Sequence, residues 1–567
     1  MTLRRPRFVK VAGAAAAIVV VAAIGLLPSS AIQNGTLSHP GGDDVARGAF
    51  HIHSKRSDGS GTVDAIAAAA ARAGLQFIIL TDHGDGTRPP DPPAYLHGVL
   101  TIDAVELSTT SGHYLALGLP AAPYPLAGTP EDVIEDVHRL GGFGVAAHPG
   151  SPRPSLRWQA WASDFDGLEW INADSEWRDE AWTTLLRSLL TLPIRPPETI
   201  AALLDRPDAV LARWDEATRT RRVIALAGAD AHARLGLRSD ADPDQSAIHV
   251  PLPSYESTFR TFSNHVVLEG PLTGNAAIDA PHLLDAIRQG RVYTVIDGQG
   301  TPGGLDFVGW SGTRVVRMGG ELPAGDSSVR ARVSGPPGGR LVLFRDGTAM
   351  PVTARDLDIG VRVEPGTYRL EFYMPATPGT PPVPWIVSNP IYVGLETPTA
   401  AADQLPRSRI PARASDAAAE AGRGDLSTVV ARDPQSRALA GDPPVLWTFA
   451  LSPGAAHGQF AAMRIPITAG LAAFDRVRFT AASERPIRVR CQLRAGSGTE
   501  RWGRTFYADT EPRTIDLRLQ DFQPIGVPSS PAPPLDKVDS LLFVVDTLNS
   551  LPGATGTITI SNVGFVR

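Results

Sequence analysis

The sequence predicts an α/β region followed by two all-β domains. From Ala49 to about Gly300, short apolar runs alternate with amphipathic or alanine-rich stretches, which is typical of parallel strands joined by helices. After Gly300 the helical stretches disappear, and short runs with period-two alternation follow, such as 329–333 and 368–373. Polar residues able to bind metal follow several of the apolar runs, as functional residues do in parallel α/β barrels.

The elements of the first region follow from local signals. Thr62 is a helix N-cap candidate before the alanine-rich stretch 63–73, and Gly74 ends it. A second, amphipathic helix is predicted at 130–140, before Gly141. Residues 175–222 predict a helical stretch longer than a simple crossover requires. The predicted strands are 49–53, 76–81, 101–107, 114–119, 144–147, 167–171 and 223–227.

The 567 residues allow three or four domains. Residues 305–395 carry short alternating strands that predict a small β-sandwich, residues 396–442 have the composition of a linker, and the last strands predict a jelly roll. The predicted division is 1–31 leader, 32–48 polar tether, 49–300 barrel, 301–395 β-sandwich, 396–442 linker and 443–567 β jelly roll.

The N-terminus predicts export. Basic residues at 4–10 precede an uninterrupted run of apolar and small residues at 11–27, which is typical of a signal peptide or an uncleaved membrane anchor. The run is at the short limit for crossing a bilayer, and the alternative is a buried helix. Cys491 is the single cysteine, so no internal disulfide can support this prediction. We expect a periplasmic, extracellular or outward-facing, membrane-anchored protein.

The strongest functional signal is a set of histidines and carboxylates near strand ends. His51 and His53 are two residues apart on a predicted strand, so both imidazoles share one face; Asp230 and His232 repeat this spacing. Imidazoles and carboxylates together suit divalent ions such as manganese, zinc or iron. The net charge of −6 argues against extensive electrostatic binding of nucleic acid. The candidate metal ligands are His51, His53, Asp58, His83, Glu106, His113, His148, Asp230 and His232.

In their order and local context, these motifs resemble the PHP (polymerase and histidinol phosphatase) superfamily over about residues 48–300. The matching motifs are 51–53 with 57–59, 81–83, 105–107, His113, 147–149 and 228–232. The resemblance implies a distorted (β/α)7 barrel that holds two or three divalent metals and hydrolyses phosphoesters. The fold class expected for the whole chain is therefore this α/β barrel followed by an Ig-like sandwich and a jelly roll.

The resemblance also implies three metal positions. His51, His53, Glu106 and Asp230 hold the first ion, Glu106 bridges to a second ion held by His113 and His148, and Asp58, His83 and His232 hold the third. A carboxylate bridge keeps two cations close despite their repulsion, and a hydroxide between metals is the expected nucleophile. Glu106, Asp230 and His232 are the expected catalytic residues.

Several other polar residues are candidates for orienting ligands or binding substrate. We expect Asp82 to orient a ligand because it points away from His83 on a strand. Glu169 and Asn172 end another strand and are candidates for either role. An arginine fork suits phosphate, and the candidates are Arg153, Arg157, Arg234, Arg56 and Lys55, for each of which a surface position is the alternative.

The two β-domains carry weaker signals. Residues 388–392 are similar to the end of an accessory sandwich found beside some exported PHP proteins, and residues 443–567 resemble galactose-binding-like jelly rolls. That resemblance implies a glycan partner. The aromatic residues Trp447, Trp502, Phe506 and Tyr507 would supply stacking surfaces, although aromatics in alternating strands more often pack in a core.

The leading interpretation is an exported phosphoesterase acting on a phosphomonoester or phosphodiester by metal-bound hydroxide. Its substrate would be a phosphorylated small molecule or a nucleotide, with no stable nucleic-acid partner and with membrane attachment through the N-terminus. One alternative is an amidohydrolase-like enzyme that uses the same metals on a carbonyl. Another is a glycan-binding cell-envelope protein with an auxiliary barrel.

Overall fold

The computed structural model describes residues 27–28, 30–33, 44–178, 180–236, 249–250, 252–301, 304–351, 358–395, 409–411, 417–422, 427–432, 444–454, 458–495, 500–528 and 530–567. The chain divides into two compact units. The first comprises Met1–Gly84, Pro90–Pro120 and Val137–Pro398; the second comprises Asp85–Pro89, Ala121–Asp136 and Thr399–Arg567. The predicted leader lies almost entirely outside the described residues, and within them no helix is long and apolar enough to cross a membrane.

A closed ring of strands forms the centre of the first unit. In order of pairing, the ring contains Asp44–Ile52, Phe77–Leu80 with His83–Gly84, Val99–Asp103 with Val105–Thr109, Gly112–Leu117, Phe143–Ala146, Gly167–Asn172 and Ile224–Ala231, which pairs back to the first strand. Most neighbours are parallel, but Gly112–Leu117 is antiparallel to both of its neighbours. The fold is therefore mixed α/β, and its finer assignment to a distorted (β/α)7 barrel stays a prediction.

Helices lie between several of these strands. Val63–Arg72 begins where the sequence predicts, because the Thr62 hydroxyl oxygen accepts a hydrogen bond from the Ala65 amide at 3.2 Å. The long helical stretch consists of separate segments with their own boundaries. The other described helices are Pro130–Arg139, Ala173–Glu176, Trp182–Thr191, Pro196–Ala201, Asp208–Thr218, Tyr255–Phe259, Ala276–Arg288 and the 3₁₀ turn Leu519–Asp521.

The barrel sheet continues into the β-region that follows it. The first barrel strand begins at Asp44, within the predicted tether, and its early part pairs with Ser263–Leu268. From there the sheet runs through Val292–Val295, Ile386–Ser388, Gly366–Tyr373 and Arg340–Arg345. The predicted β-sandwich thus shares one continuous sheet with the barrel. Its second sheet contains Arg314–Arg317, Gly304–Ser311, Ser327–Ser334 and Asp358–Val363.

Short strands complete the first unit. They are Ile32–Gln33, Ala94–Leu96, Leu235–Gly236, His249–Val250, Gly300–Thr301, Glu321–Leu322, Thr348–Ala349 and Ile391–Val393. Ile32–Gln33 lies in the predicted tether and pairs with Gly300–Thr301.

The second unit contains two antiparallel sheets around an apolar core. One sheet contains Ser427–Arg432, Val445–Ala450, Thr555–Val566, Arg476–Ser483 and Arg513–Arg518, with Arg409–Pro411 beside the third strand. The other contains Ala418–Gly422, Phe460–Pro466, Val538–Asp546, Ile487–Ala495, Glu500–Ala508 and Gln523–Ile525. Three of these strands fall within 396–442, where the sequence predicts a linker. Their pairing with longer strands supplies hydrogen bonds that the local composition does not signal.

Candidate metal centre

The candidate ligands meet at one end of the barrel because of how the strands end there. His51 and Asp230 lie in the last positions of two neighbouring parallel strands, and His148 follows a third. His113 lies at the start of Gly112–Leu117. Since that strand is antiparallel, its start is at the end of the barrel where the parallel strands finish. The mixed strand direction therefore brings His113 to the same site.

Glu106 is the hub of the cluster. Its side chain is 1% exposed, and one carboxylate oxygen, Oε1, lies 2.7 Å from His113 Nδ1 and 3.0 Å from His148 Nε2. The other oxygen, Oε2, lies 3.2 Å from His51 Nε2 and 3.1 Å from His53 Nε2. Oε2 also lies 3.4 Å from His83 Nδ1, so the two oxygens of one buried carboxylate face two different sets of imidazoles, which is the arrangement required of a bridging ligand.

Two aspartates complete the cluster. Asp230 Oδ1 lies 3.4 Å from the Nε2 atoms of both His51 and His53. Asp58 places Oδ2 3.0 Å from His232 Nε2 and 3.7 Å from His83 Nε2. Asp58 Oδ1 also lies 3.2 Å from His53 Nδ1, so all nine predicted ligands are in one connected cluster.

Ligand atoms of eight of these residues lie close enough to share cations. Four groups of three have ligand atoms within 4.8 Å of one another, and His232 is the one predicted ligand outside them. The groups are His51, Glu106 and His148; His51, His53 and Asp230; His53, Asp58 and His83; and His83, Glu106 and His113. These clusters can hold metal, while the assignment of each ligand to one ion stays a prediction.

Three imidazoles have their outer nitrogen bound by the protein. His51 Nδ1 lies 2.6 Å from Glu169 Oε1, His148 Nδ1 lies 3.1 Å from the Leu156 carbonyl, and His232 Nδ1 lies 2.9 Å from the Asp230 carbonyl. Since these oxygens only accept, each Nδ1 carries a proton, and each Nε2 is the atom left to bind a cation or a second proton. All three Nε2 atoms point to carboxylates of the cluster, as in metal-binding histidines oriented by an outer acceptor.

Glu169 and Asn172 orient the ligands. Besides contacting His51, Glu169 accepts from the His148 amide at 2.7 Å and from Asn172 Nδ2 at 2.8 Å. Asn172 Nδ2 also lies 3.3 Å from Asp230 Oδ2. Gly228 makes room for this carboxylate, since a Cβ there would lie 1.8 Å from Glu169 Oε1.

Asp82 fixes the loop that carries Asp58. It is 4% exposed, and its carboxylate accepts from the Ser54 amide, the Ser54 hydroxyl and the Ser57 hydroxyl, each at 2.7 Å. Sequence reasoning missed both serines. It also missed Tyr255, whose hydroxyl lies 2.8 Å from the His53 carbonyl and 3.0 Å from the His232 carbonyl. Long-range contacts of this kind leave no local signal in the sequence.

The arginine candidates separate into two groups. Arg153 and Arg234 line the polar cavity above the cluster, together with Arg178, which sequence reasoning missed. Arg234 Nη1 donates to the Asp58 carbonyl at 3.1 Å. Arg56 instead pairs with Asp91 and Asp103.

The two remaining basic candidates do not line the cavity. The guanidinium of Arg157 donates to the Ser151 carbonyl at 2.6 Å, and Lys55 is exposed.

The backbone is strained at three of the ligands. His51, His148 and Asp230 have φ values of 65°, 35° and 42°, in the left-handed region that residues other than glycine seldom adopt. Such strain accumulates at functional sites, where the surrounding contacts maintain it. His51 and His53, two residues apart in sequence, have their Nε2 atoms 3.1 Å apart.

The cluster contains buried carboxylates that attract positive charge. Burial alone lowers the pKa of His51, but Asp230, Glu169 and Glu106 outweigh it and hold that pKa well above 6.5. Burial raises the pKa of Glu106, but the imidazoles of His51, His113 and His148 outweigh it and hold that pKa well below 4.5. The protein itself therefore favours ionised carboxylates surrounded by groups that bind a cation or a proton.

Comparisons with known proteins give short or distant likenesses. No protein-family model matches the chain. A protein of Methanocaldococcus jannaschii described as uncharacterized is 31% identical over 110 residues, which are 18% of this chain and 62% of that protein. The match thus spans less than two thirds of the relative.

Two solved structures are each similar to a part of the chain. One is a “putative metal-dependent phosphoesterase” of Bifidobacterium adolescentis, at 14% identity and TM-score 0.22, covering 36% of this chain and 91% of that one. The other is a family 11 carbohydrate-binding module of a Clostridium thermocellum cellulase, at 15% identity and TM-score 0.21, covering 27% and 87%. At these TM-scores neither likeness supports a functional argument.

Proposed function

We propose that this protein is a metal-dependent hydrolase of phosphoesters, with a cluster of two or three divalent ions at the open end of the barrel. One observation carries the proposal: His51, His148 and His232 each bind an acceptor through Nδ1 and present Nε2 to shared carboxylates. Histidines that only pack in a core or form single ion pairs do not require several Nε2 atoms directed at shared carboxylates.

The donor atoms fit borderline divalent metals. Imidazole nitrogens and carboxylate oxygens together favour manganese, zinc or iron over calcium or magnesium, which prefer oxygen ligands alone. In the proposed partition, Glu106 would be shared by two ions, and His232 would complete the ligand set formed by Asp58 and His83. When bound, such ions polarise a phosphoryl oxygen and lower the pKa of water.

The protein's own groups supply binding and orientation. Arg153, Arg178 and Arg234 place guanidinium groups around the cavity, where planar forks suit the oxygens of a phosphate. Arg178 is held by Asp174, with contacts of 2.7 and 2.9 Å, so its position is fixed before substrate binds. Glu169 and Asn172 prevent rotation of His51 and Asp230, which preserves the ligand geometry during turnover.

The proposal is tested by metal analysis of the purified protein together with a panel of phosphomonoesters, phosphodiesters, amides and lactones. We expect turnover of at least one phosphate ester, its loss on chelation and its return with manganese, zinc or iron. Hydrolysis of amides or lactones alone would instead establish the amidohydrolase-like alternative.

A substitution at the bridge tests the same proposal from the protein side. We expect Glu106→Gln to reduce turnover to background, because an amide supplies one neutral oxygen in place of a charged bridge, while the fold is retained. Glu256→Gln is the matched control, since Glu256 pairs with surface arginines. Near-normal activity of Glu106→Gln would contradict the assignment of the bridge.

Glycan binding and export are separate proposals. Trp447, Trp502 and Phe506 are buried in the core of the second unit, so a sugar would have to stack elsewhere. Pull-down of the full chain with cell-wall glycans tests the first proposal. N-terminal sequencing of secreted or membrane-bound protein tests the second.

A further inference from the structure

An apolar cavity of about 220 Å³ lies in the first unit. Leu185 and Leu189 of helix Trp182–Thr191 line it, together with Leu192 just after the helix and with Ile200 and Leu203. The volume is below the ~300–1,000 Å³ typical of pockets for whole small molecules, and suits one alkyl chain or one aromatic ring system.

This apolar cavity lies beside the metal cluster. Asp174, Asp230, His232 and Arg234 line both it and the polar cavity, which Glu106 and most of the other predicted ligands also line. A substrate can therefore place its phosphate among the cations and arginines while its alcohol extends into apolar surroundings. The two cavities together are complementary to an amphiphile, with charge at one end and hydrocarbon at the other.

The apolar surface extends to the cavity rim. Leu189 lines the cavity, yet 54% of it is exposed to solvent. Exposure of this apolar side chain brings no hydrophobic stabilisation to the protein on its own. Contiguous exposed apolar surface next to a polar site is typical of a binding groove. A bound hydrocarbon chain would cover this side chain and remove apolar surface from water.

Because the two cavities are adjacent and share lining residues, we propose that the substrate is a phosphoester of a large apolar alcohol, either a long alkyl chain or an aromatic ring system. The inference rests on the proposed phosphoesterase function and specifies its substrate class. Hydrolysis consumes one water: its oxygen bonds to phosphorus, the phosphorus–oxygen bond to the alcohol breaks, and the alcohol leaves with one proton of that water.

The test compares butyl, octyl and naphthyl phosphate, each below its micellar concentration, with the full-length, metal-loaded protein. We expect kcat/KM to rise about threefold to fourfold per added methylene until the cavity is filled. A preference for octyl phosphate indicates an alkyl chain, and a preference for naphthyl phosphate indicates a ring system. Equal kcat/KM for all three esters would overturn the inference while leaving the phosphoesterase function intact.

A pair of tryptophan substitutions on one helix locates the effect. Ser188 lines the cavity, whereas Thr183 is exposed on the same helix outside it. We expect Ser188→Trp to lower kcat/KM most for octyl and naphthyl phosphate and least for butyl phosphate, and Thr183→Trp to leave all three unchanged. An equal loss on all esters in Ser188→Trp would show a general structural effect and count against the proposal.

Binding of non-hydrolysable alkylphosphonates separates this inference from the proposed function. Absence of turnover on every phosphate ester would refute the phosphoesterase, but calorimetry with butyl- and octylphosphonate still tests the cavity. We expect at least tenfold tighter binding of octylphosphonate, lost in Ser188→Trp. Equal affinity for the two phosphonates would reject the apolar site whatever the activity.

Discussion

Two buried charge clusters in the first unit differ in where their positive charge comes from. In one, Arg369 binds both oxygens of Asp215 at 2.6 and 2.7 Å and reaches Glu371 at 2.6 Å, while Arg206 binds the same glutamate at 2.7 Å. Two guanidinium groups thus balance two carboxylates. In the other, the carboxylates of the metal centre face mainly imidazoles that are neutral when they act as ligands.

The difference indicates what each cluster does. The arginine network is complete with protein groups alone, so it stabilises the contact between helix Asp208–Thr218 and the neighbouring β-sheet. The metal centre brings Glu106, Glu169 and Asp230 together in a buried space and leaves their charge to be balanced from outside. Burying carboxylates in this way costs stability unless cations or protons bind, which is expected of a site maintained for function.

The largest expected effect is in the arginine network. Arg369→Met leaves the carboxylates of Asp215 and Glu371 buried with less compensation and should lower the free energy of unfolding by about 3–5 kcal/mol. Denaturant unfolding measures it, with Arg362→Met as control because Arg362 forms an exposed pair with Asp326. A change below about 1 kcal/mol would show that Arg369 contributes no more to stability than an exposed ion pair does.

A smaller effect is expected where a glycine makes room for an orienting carboxylate. Gly228→Ala should displace Glu169 and weaken metal binding about 10–100-fold, the usual effect of losing an outer partner of a ligand. Gly270→Ala is the matched control, since a Cβ there meets nothing within 4 Å. Calorimetric titration with metal measures the affinity of both variants. Equal metal affinities of Gly228→Ala and Gly270→Ala would show that Glu169 does not orient the ligands.

The smallest effect concerns a histidine remote from the metal centre. The hydrogen bond to Asp166, at 2.8 Å, raises the pKa of the partly exposed His138 above 6.5. Its stabilisation is therefore complete below about pH 6.5 and is lost as the pH rises through the raised value. We expect this contact to contribute about 0.2–1 kcal/mol to the free energy of unfolding at low pH. The measurement is the pH dependence of unfolding of the wild type and of His138→Gln. Identical pH profiles of the two proteins would contradict the predicted contribution of His138.

Much of the site was predictable because its ligands occur in compact motifs. The spacing of His51 and His53, and of Asp230 and His232, marks positions near strand ends that the structure brings together. The partners of these ligands were harder to predict. The sequence made Glu169 a candidate for orienting a ligand, but its contact with the His51 ring and the space that Gly228 leaves for its carboxylate are not visible in a strand pattern.

The sequence also allows the direction of one barrel strand to be predicted. Residues 110 and 111 separate strand Val105–Thr109 from strand Gly112–Leu117. A parallel connection needs a crossover of about a dozen residues or more, so this short loop requires an antiparallel pair. The strands within 396–442 carry no comparable signal, because they pair at positions set by distant strands.

The most direct test of the central claim is the number of divalent ions bound per chain. Equilibrium dialysis of the metal-free protein against zinc or manganese should give two or three ions for wild type and for Glu256→Gln, and at least one fewer for Glu106→Gln. Fewer than two ions in the folded wild-type protein, or an unchanged number in Glu106→Gln, would contradict the proposed metal cluster with Glu106 as its shared ligand.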